Sequence, residues 1–224
     1  MVSGLSTALS QSDVADRRIE PSSTALVLVG FQNEYFGPQG GLRREIDDSD
    51  APEQVLSATV GLIGALAHTE ALIVSTPIVF TPTYEELINP VGVLAAIKAK
   101  RAFQRGTEGA RLVAALEGFG ARIADVPGRR GLNAFLDSGL DELLGACGIV
   151  DVVLAGALAC VNVDSSARSA HERGYRVSIL SDCTLSRTES EHDLFCRRIF
   201  PLYAEVLSSL QLLDRLGVTE QVDH

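Results

Sequence analysis

The sequence contains no tryptophan, and aromatic residues make up only 5% of its 224 positions. The interior must therefore be filled by the aliphatic residues that bring the hydrophobic share to 46%. A chain of this length is large enough to bury the core of one domain. A core of Ala, Val, Leu and Ile is typical of a parallel sheet that is covered on both faces.

Basic charge is also scarce. Lysine occurs only twice, at Lys98 and Lys100, and the formal net charge is −10. A surface that binds phosphate groups needs clustered Lys and Arg side chains, and the sequence has no run rich in them. We therefore expect neither a nucleic acid nor an anionic membrane surface as a partner.

Long apolar runs are missing as well. No run approaches the roughly 20 residues that a membrane-spanning helix requires. The opening residues, MVSGLSTALSQSD, lack the basic start and apolar run of a secretory signal. These features predict a cytoplasmic protein.

The sequence also lacks the motifs of common cofactor sites. Its four cysteines match neither a zinc spacing nor a CxxC motif, which favours reduced thiols; they stand at Cys147, Cys160, Cys183 and Cys196. A Gly-rich phosphate loop is absent too, which argues against a nucleotide cofactor. We predict no cofactor and no metal site.

The chain divides into three predicted parts. Residues 1–22 are polar and without an apolar period, which indicates a flexible N-terminal arm. Residues 23–217 form a single predicted domain, and residues 218–224 form a C-terminal tail.

Within the domain, apolar runs alternate with helical patterns. Strands are predicted at 24–31, 71–80, 121–126, 151–159 and 175–184, and helices at 52–70, 140–148, 162–174 and 190–217. The last of these helices must kink or restart at Pro201. This alternation predicts an α/β three-layer sandwich with a mainly parallel sheet of about six strands. Ligands of such sheets bind beyond the carboxyl ends of the strands.

Three blocks at those strand ends resemble the isochorismatase-like cysteine hydrolases. They read LVLVGFQNEYF, GRRGLNAFLDSGLDELL and LAGALACVNVDSSARSAHERGYRVSILSDCT. Each block is moderately specific, and all three in order with suitable spacing make a strong resemblance over about residues 24–200. The resemblance implies this family's fold and a homodimer or homotetramer that acts on a small molecule.

The family's three catalytic residues fall on altered positions. Its Asp corresponds to Gly30, its Lys to Arg129 (Arg130 if the register shifts by one), and its nucleophilic Cys to Asn162. Glycine carries no proton, arginine stays protonated, and a carboxamide is not comparable to a thiolate as a nucleophile. The resemblance therefore implies the family's fold without its thioester chemistry. One branch of this family binds a metal through His residues in the region that corresponds to 80–100. This sequence has no His there.

Other residues are candidates for the site. Cys160 stands two residues before the expected nucleophile. His192 lies in a segment that, as the resemblance implies, comes back close to the pocket. Asn162 is a candidate catalytic residue, but a helix N-cap would also explain an Asn there. We also expect seven residues to line the walls of the substrate pocket: Phe31, Gln32, Phe36, Tyr84, Phe135, Leu158 and Ala159.

Three hypotheses for function follow. The first is an enzyme that promotes cyclisation, isomerisation, elimination or coupling of a small biosynthetic intermediate by orientation and polar stabilisation. The second is a hydrolase that uses Cys160 or water on an amide, an ester or a vinyl ether. The third is a catalytically inert ligand-binding or partner subunit. The polar side chains of Arg129 and Asn162 favour the first, because they would be costly to bury without partners.

Overall fold

The computed structural model of the protein describes residues 17–47, 50–126 and 131–218. In this part of the chain, six parallel strands form one sheet in the order β3-β2-β1-β4-β5-β6. The strands are β1 Thr24–Val29, β2 Leu72–Thr76, β3 Ala124–Asp125, β4 Asp151–Ala157, β5 Arg176–Leu185 and β6 Glu205–Leu207.

Helices connect these strands and cover the sheet. The α-helices of the described residues are α1 Asn33–Phe36, α2 Ala51–Leu66, α3 Gly92–Lys100, α4 Ala114–Glu117, α5 Leu140–Ala146, α6 Asp164–Glu172, α7 Glu189–Leu194 and α8 Ser209–Arg215. A π-helical turn, Ala159–Val163, leads from β4 into α6, and a second one, Phe195–Ile199, follows α7. None of the described helices is long and apolar enough to cross a membrane.

The side chains of β1 alternate between two apolar clusters, one on each face of the sheet. Leu26 and Leu28 pack in the cluster that contains the buried residues of α2 and α8. Ala25 and Val27 pack in the cluster that contains those of α5 and α6. Since successive side chains of a strand point to opposite faces, the sheet is covered on both sides. The predicted three-layer α/β fold is confirmed.

The predicted helix at 190–217 is wrong in its middle. The chain stops being helical after a 3₁₀ turn, Phe200–Leu202, that contains Pro201, and β6 then pairs with the sheet edge. Ser178 and Leu180 of β5 lie beside Glu205 and Leu207. The local sequence favours a helix, but pairing with an open sheet edge outweighs that weak preference. Pro201 does interrupt the helix, as predicted.

The described end of the predicted N-terminal arm packs against the domain. Ile19 is 3% exposed, and its backbone N–H donates to the carbonyl of Arg215 at 3.0 Å. The arm therefore does not extend to residue 22 as a free segment. Residues 1–16 of that arm, and residues 219–224 of the predicted tail, lie outside the described residues.

Asp151, the first residue of β4, ties this N-terminal segment to the sheet. Its buried carboxylate accepts hydrogen bonds from Arg17 at 2.9 Å and from Arg176 at 2.8 and 2.5 Å. Burial opposes ionisation, but the hydrogen bonds and charges of Arg176 and Arg17 outweigh it and lower the pKa of Asp151. The charged carboxylate therefore stabilises the folded chain.

We expect Asp151→Asn to lower the free energy of unfolding by about 2 kcal/mol at neutral pH, since hydrogen bonds to a charged group are lost. A depressed pKa contributes stability above its unfolded value of about 4, and the contribution disappears as pH falls through the folded value. The deficit of the variant should therefore shrink below about pH 4. Urea unfolding of the variant and the wild type at several pH values measures this difference in the free energy of unfolding. Asp193→Asn, in the exposed pair with Arg197, is the control, and an equal effect there would contradict the prediction.

Candidate functional site at the junction of β1 and β4

The sheet reverses its direction of winding between β1 and β4. The chain moves outward from β1 to β2 and β3 on one side, and from β4 to β5 and β6 on the other. In open α/β sheets, the crevice at such a switch point, beyond the carboxyl ends of the strands, is where ligands bind. Gly30 follows β1 there, and Ala157 ends β4.

Gly30 has a backbone that a side chain would not fit. Its φ is +71°, a region that side-chain-bearing residues rarely adopt. A Cβ atom at this position would stand 2.7 Å from the carbonyl oxygen of Ala157 and 3.5 Å from the ring of Tyr35. The position that the resemblance assigns to the family's Asp is thus enclosed by a backbone carbonyl and an aromatic ring.

Asn162 lies in the π-helical turn that follows β4, fully buried. Its Nδ2 donates to the carbonyl of Ala157 at 2.6 Å and reaches the hydroxyl of Tyr35 at 3.4 Å. Its Oδ1 has no hydrogen-bond partner among the described residues. The side chain does not cap α6, whose N-cap is Val163 without a side-chain hydrogen bond. A helix cap therefore does not explain the Asn.

Gly30, Tyr35 and Asn162 thus come together around the Ala157 carbonyl. Tyr35 is not among the site residues predicted from the sequence, although it stands in the first resembling block. The peptide bond that follows this carbonyl, between Ala157 and Leu158, is cis. Arg129, the third triad-equivalent position, and its alternative Arg130 lie outside the described residues.

Cys160 is half-buried beside the side chains of Glu191 and Arg187. Burial, followed by the neighbouring Glu191 carboxylate, raises the pKa of the Cys160 thiol to about 12. A thiol is nucleophilic as the thiolate, and this environment suppresses the thiolate at neutral pH.

His192 lines a separate cleft between α2 and the segment that follows β5. Burial lowers the pKa of its imidazole, so the ring is neutral at physiological pH. Its Nε2 lies 3.5 Å from the sulfur of Cys196, whose thiol pKa burial raises to about 11. The Cys196 thiol is thus not activated by this neighbour.

The predicted wall residues divide between the two faces of the sheet. Phe31, Phe36, Tyr84 and Leu158 belong to the cluster of the α2 face, whereas Phe135 and Ala159 belong to the cluster of the opposite face. Phe31 and Phe36 stack with ring centroids 4.8 Å apart.

Two polar members of that predicted wall are engaged with backbone. The amide of Gln32 donates to the carbonyls of Ile78 and Ala110, at 2.8 and 2.7 Å, and accepts from the N–H of Ile78 at 2.8 Å. The hydroxyl of Tyr84 donates to the carbonyl of Ala102 at 2.7 Å. Both side chains hold loops in place above the sheet.

Metal-ligating residues are not grouped in the described part of the chain. There, no three or more His, Cys, Asp or Glu side chains are arranged to hold a metal ion.

The sequence itself matches known proteins. A profile of the isochorismatase domain matches residues 24–211. The uncharacterized isochorismatase family proteins YwoC of Bacillus subtilis (strain 168) and YecD of Escherichia coli O157:H7 are 30% and 31% identical over 88 residues. Each match covers 39% of this chain and 47% of the relative. The chain thus spans about half the length of the curated relatives it matches.

Solved structures share the fold over nearly their whole length. A cysteine hydrolase from Pseudomonas syringae pv. phaseolicola 1448A has a TM-score of 0.77 at 16% identity, covering 89% of this chain and 95% of that one. An isochorismatase family protein from Burkholderia thailandensis has a TM-score of 0.72 at 21% identity, covering 90% of this chain and 99% of that one. N-carbamoylsarcosine amidase from Thermoplasma acidophilum has a TM-score of 0.66 at 23% identity, covering 84% of this chain and 96% of that one. Because the isochorismatase domain accounts for most of its length, the chain belongs to the isochorismatase family.

Proposed function

We propose that this chain is an isochorismatase-fold enzyme that works without a covalent intermediate. It binds a small organic biosynthetic intermediate at the junction of β1 and β4 and promotes its cyclisation, isomerisation, elimination or coupling. The observation that carries the proposal is the buried Asn162 amide, whose Nδ2 is held by the Ala157 carbonyl while Oδ1 has no partner among the described residues.

The chemistry of this amide differs from that of a nucleophile. An unpartnered buried carbonyl oxygen is costly unless a ligand N–H or O–H donates to it. An amide fixed at one end can therefore orient a ligand and stabilise a polar transition state. It cannot form an acyl intermediate, and Gly30 offers no acid or base beside it.

The hydrolase alternative requires a thiolate or an activated water. The environment of Cys160 disfavours the thiolate, because burial and Glu191 raise the pKa of that thiol. This observation ranks a Cys160-dependent hydrolase below the proposed function.

A second candidate is a ligand-binding or partner subunit without chemistry. It is favoured by the depth of the junction, where Asn162 is 0% exposed and Tyr35 is 2% exposed. We retain the predictions of a cytoplasmic location and of a homodimer or homotetramer as part of either candidate.

The proposal predicts a large effect of Asn162→Ala. The purified full chain is incubated with a small-molecule extract in water labelled with heavy oxygen, and mass spectrometry follows substrate and product. We expect conversion without uptake of the label. We expect Asn162→Ala to slow it about 100-fold, as for loss of one polar group that stabilises a transition state, and circular dichroism to show a folded chain.

Cysteine variants separate the alternatives in the same assay. Under the proposal, Cys160→Ala keeps the wild-type rate, as does Cys147→Ala, which removes an exposed thiol. Uptake of the label together with loss of the rate in Cys160→Ala would instead identify a hydrolase. No conversion by the wild-type chain would favour the inert candidate.

A further inference from the structure

The helical stretch that follows β5 has one side open to solvent. Helix α7, the π-helical turn after it and the 3₁₀ turn that contains Pro201 follow one another without a break. Along this stretch the exposed residues recur every four positions, at 189–190, 193–194, 197–198 and 201–202. Residues four apart in a helix lie on the same side. We call the side that these residues form the outer face.

The opposite side of the stretch packs against the domain. Phe200 is fully buried in the cluster that contains the buried residues of α5 and α6, and Phe195 and Cys196 pack against that cluster. The rings of Phe195 and Phe200 lie with their centroids 5.4 Å apart. These contacts hold the stretch in place, and its outer face takes no part in them.

Two leucines give the outer face an apolar stripe. Leu194 is 50% exposed and Leu202 is 74% exposed, and Pro201 beside it is exposed as well. The two leucines are eight residues apart, which is about 12 Å along a helix. A single exposed leucine is ordinary in a folded protein, but two on one side of a helix form a surface that a partner can remove from water.

The charged residues of the outer face are sorted by sign along the stretch. Glu189 and Asp193 lie in its first half, and Arg197 and Arg198 lie in its second half. The face is neutral in sum, although the whole chain carries a net charge of −10. Asp193 pairs with Arg197 at 3.3 Å on the exposed surface, whereas Glu189 and Arg198 have no ion pair among the described residues. An exposed pair contributes little, so its members are available to a partner.

This distribution of charge indicates the partner. A uniformly acidic or basic partner would meet like charge at one end of the face. A second copy of the chain, lying antiparallel, instead brings the acidic half of each stretch to the basic half of the other. A two-fold axis produces such an arrangement, because it places the same surface of two subunits against itself. The same contact covers the leucines.

We propose that the outer face is the contact surface of a two-fold symmetric homodimer in which the two stretches pack antiparallel. The leucines of each protomer pack on the stretch of its partner. The carboxylates of Glu189 and Asp193 pair with the arginines of the partner's outer face. The proposal goes beyond the function proposed for the junction of β1 and β4, because it assigns a surface to the expected homodimer and does not depend on any chemistry at that junction.

Sedimentation of the purified full chain at a series of concentrations tests the leucine stripe. We expect the wild type to form a dimer and Leu202→Asp to weaken its association at least about tenfold, because the contact would bury an unpaired charge. Leu210→Asp is the matched control, since Leu210 is 63% exposed but belongs to α8. This control should associate as the wild type does, and circular dichroism should show that all three chains are folded.

Charge reversal tests the antiparallel arrangement. One variant combines Glu189→Lys with Asp193→Lys, which makes the outer face wholly basic. The other combines Arg197→Glu with Arg198→Glu, which makes it wholly acidic. Each variant alone should be monomeric, and an equimolar mixture of the two should form a heterodimer. A purely structural role of these residues would leave the mixture monomeric and would overturn the proposal.

Two further results would also overturn it. A wild type that stays monomeric throughout the micromolar range would leave the outer face to a different partner. A dimer that survives Leu202→Asp and both charge variants would be formed by another surface. Sedimentation requires no substrate, so either failure leaves the function proposed for the junction of β1 and β4 to be decided by the heavy-oxygen assay alone.

Discussion

We expect Gly156→Ala to prevent stable folding, with a loss of more than about 4 kcal/mol in the free energy of unfolding. Gly156 lies in β4 between Val29 of β1 and Thr184 of β5. Its φ is +140°, and a Cβ atom there would stand 1.9 Å from the carbonyl oxygen of Val29 and 2.7 Å from its carbon. Backbone atoms of a central strand cannot yield by a side-chain rotation, so β1 and β4 would have to separate.

The same position explains why the effect should be so large. The register between β4 and β5 shifts between Leu154 and Gly156, and the unusual backbone of Gly156 accommodates that irregularity. Separation of β1 and β4 would also disturb the contact between Gly30, which follows β1, and Ala157, the last residue of β4. The substitution should therefore affect the fold and the candidate site together.

Gly61→Ala provides the matched control for this prediction. Gly61 lies within α2, and a Cβ atom there meets nothing within 4 Å. Alanine is the better helix former by about 1 kcal/mol, so this variant should be slightly more stable than the wild type. Urea unfolding followed by circular dichroism compares the two variants. A wild-type midpoint for Gly156→Ala would show that β1 and β4 can part without cost.

Much of the fold could be predicted from the sequence because the sheet is buried on both faces. Continuous aliphatic runs such as 24–31 and 151–159 mark the central strands, β1 and β4, whatever their neighbours. The edge strand β6 could not be predicted in this way. Its three residues, Glu205–Leu207, carry no period of their own, and only the exposed edge of β5 makes them a strand. β2 ends at Thr76, short of residue 80, because Pro77 has no N–H to donate.

The candidate site was predictable where it depends on strand ends and not where it depends on loops. Gly30 and Asn162 follow β1 and β4, and adjacent parallel strands bring their carboxyl ends together. The wall residues follow no such rule, so Phe135 packs on the face opposite Phe31. The contact of Tyr35 with Asn162, and the positive φ of Gly30, depend on backbone geometry that residue patterns do not encode.

Gly30→Asp, which introduces a carboxylate where the resemblance places the family's Asp, should destabilise this chain by at least about 3 kcal/mol. An L-residue at a φ of +71° is strained, and its Cβ would stand 2.7 Å from the Ala157 carbonyl oxygen. The carboxylate would then face the negative end of that carbonyl dipole and the ring of Tyr35. Gly30→Ala separates these causes, because it shares the strain and the close Cβ but carries no charge.

The Asn162→Cys and Gly30→Asp substitutions together should therefore not restore thiol-dependent hydrolysis. A cysteine at 162 lacks the amide that donates to Ala157. While the backbone that follows β1 keeps its present conformation, the Ala157 carbonyl keeps a carboxylate at position 30 from the place where it would activate that thiol. The measurements are urea unfolding of each single variant and uptake of heavy oxygen from labelled water by amide and ester substrates in the double variant. Wild-type stability of Gly30→Asp, with hydrolysis in the double variant, would mean that the backbone at Gly30 relaxes readily. The present geometry instead places the carbonyl oxygen of Ala157 2.7 Å from any Cβ atom at position 30, which leaves no room for the side chain of an aspartate.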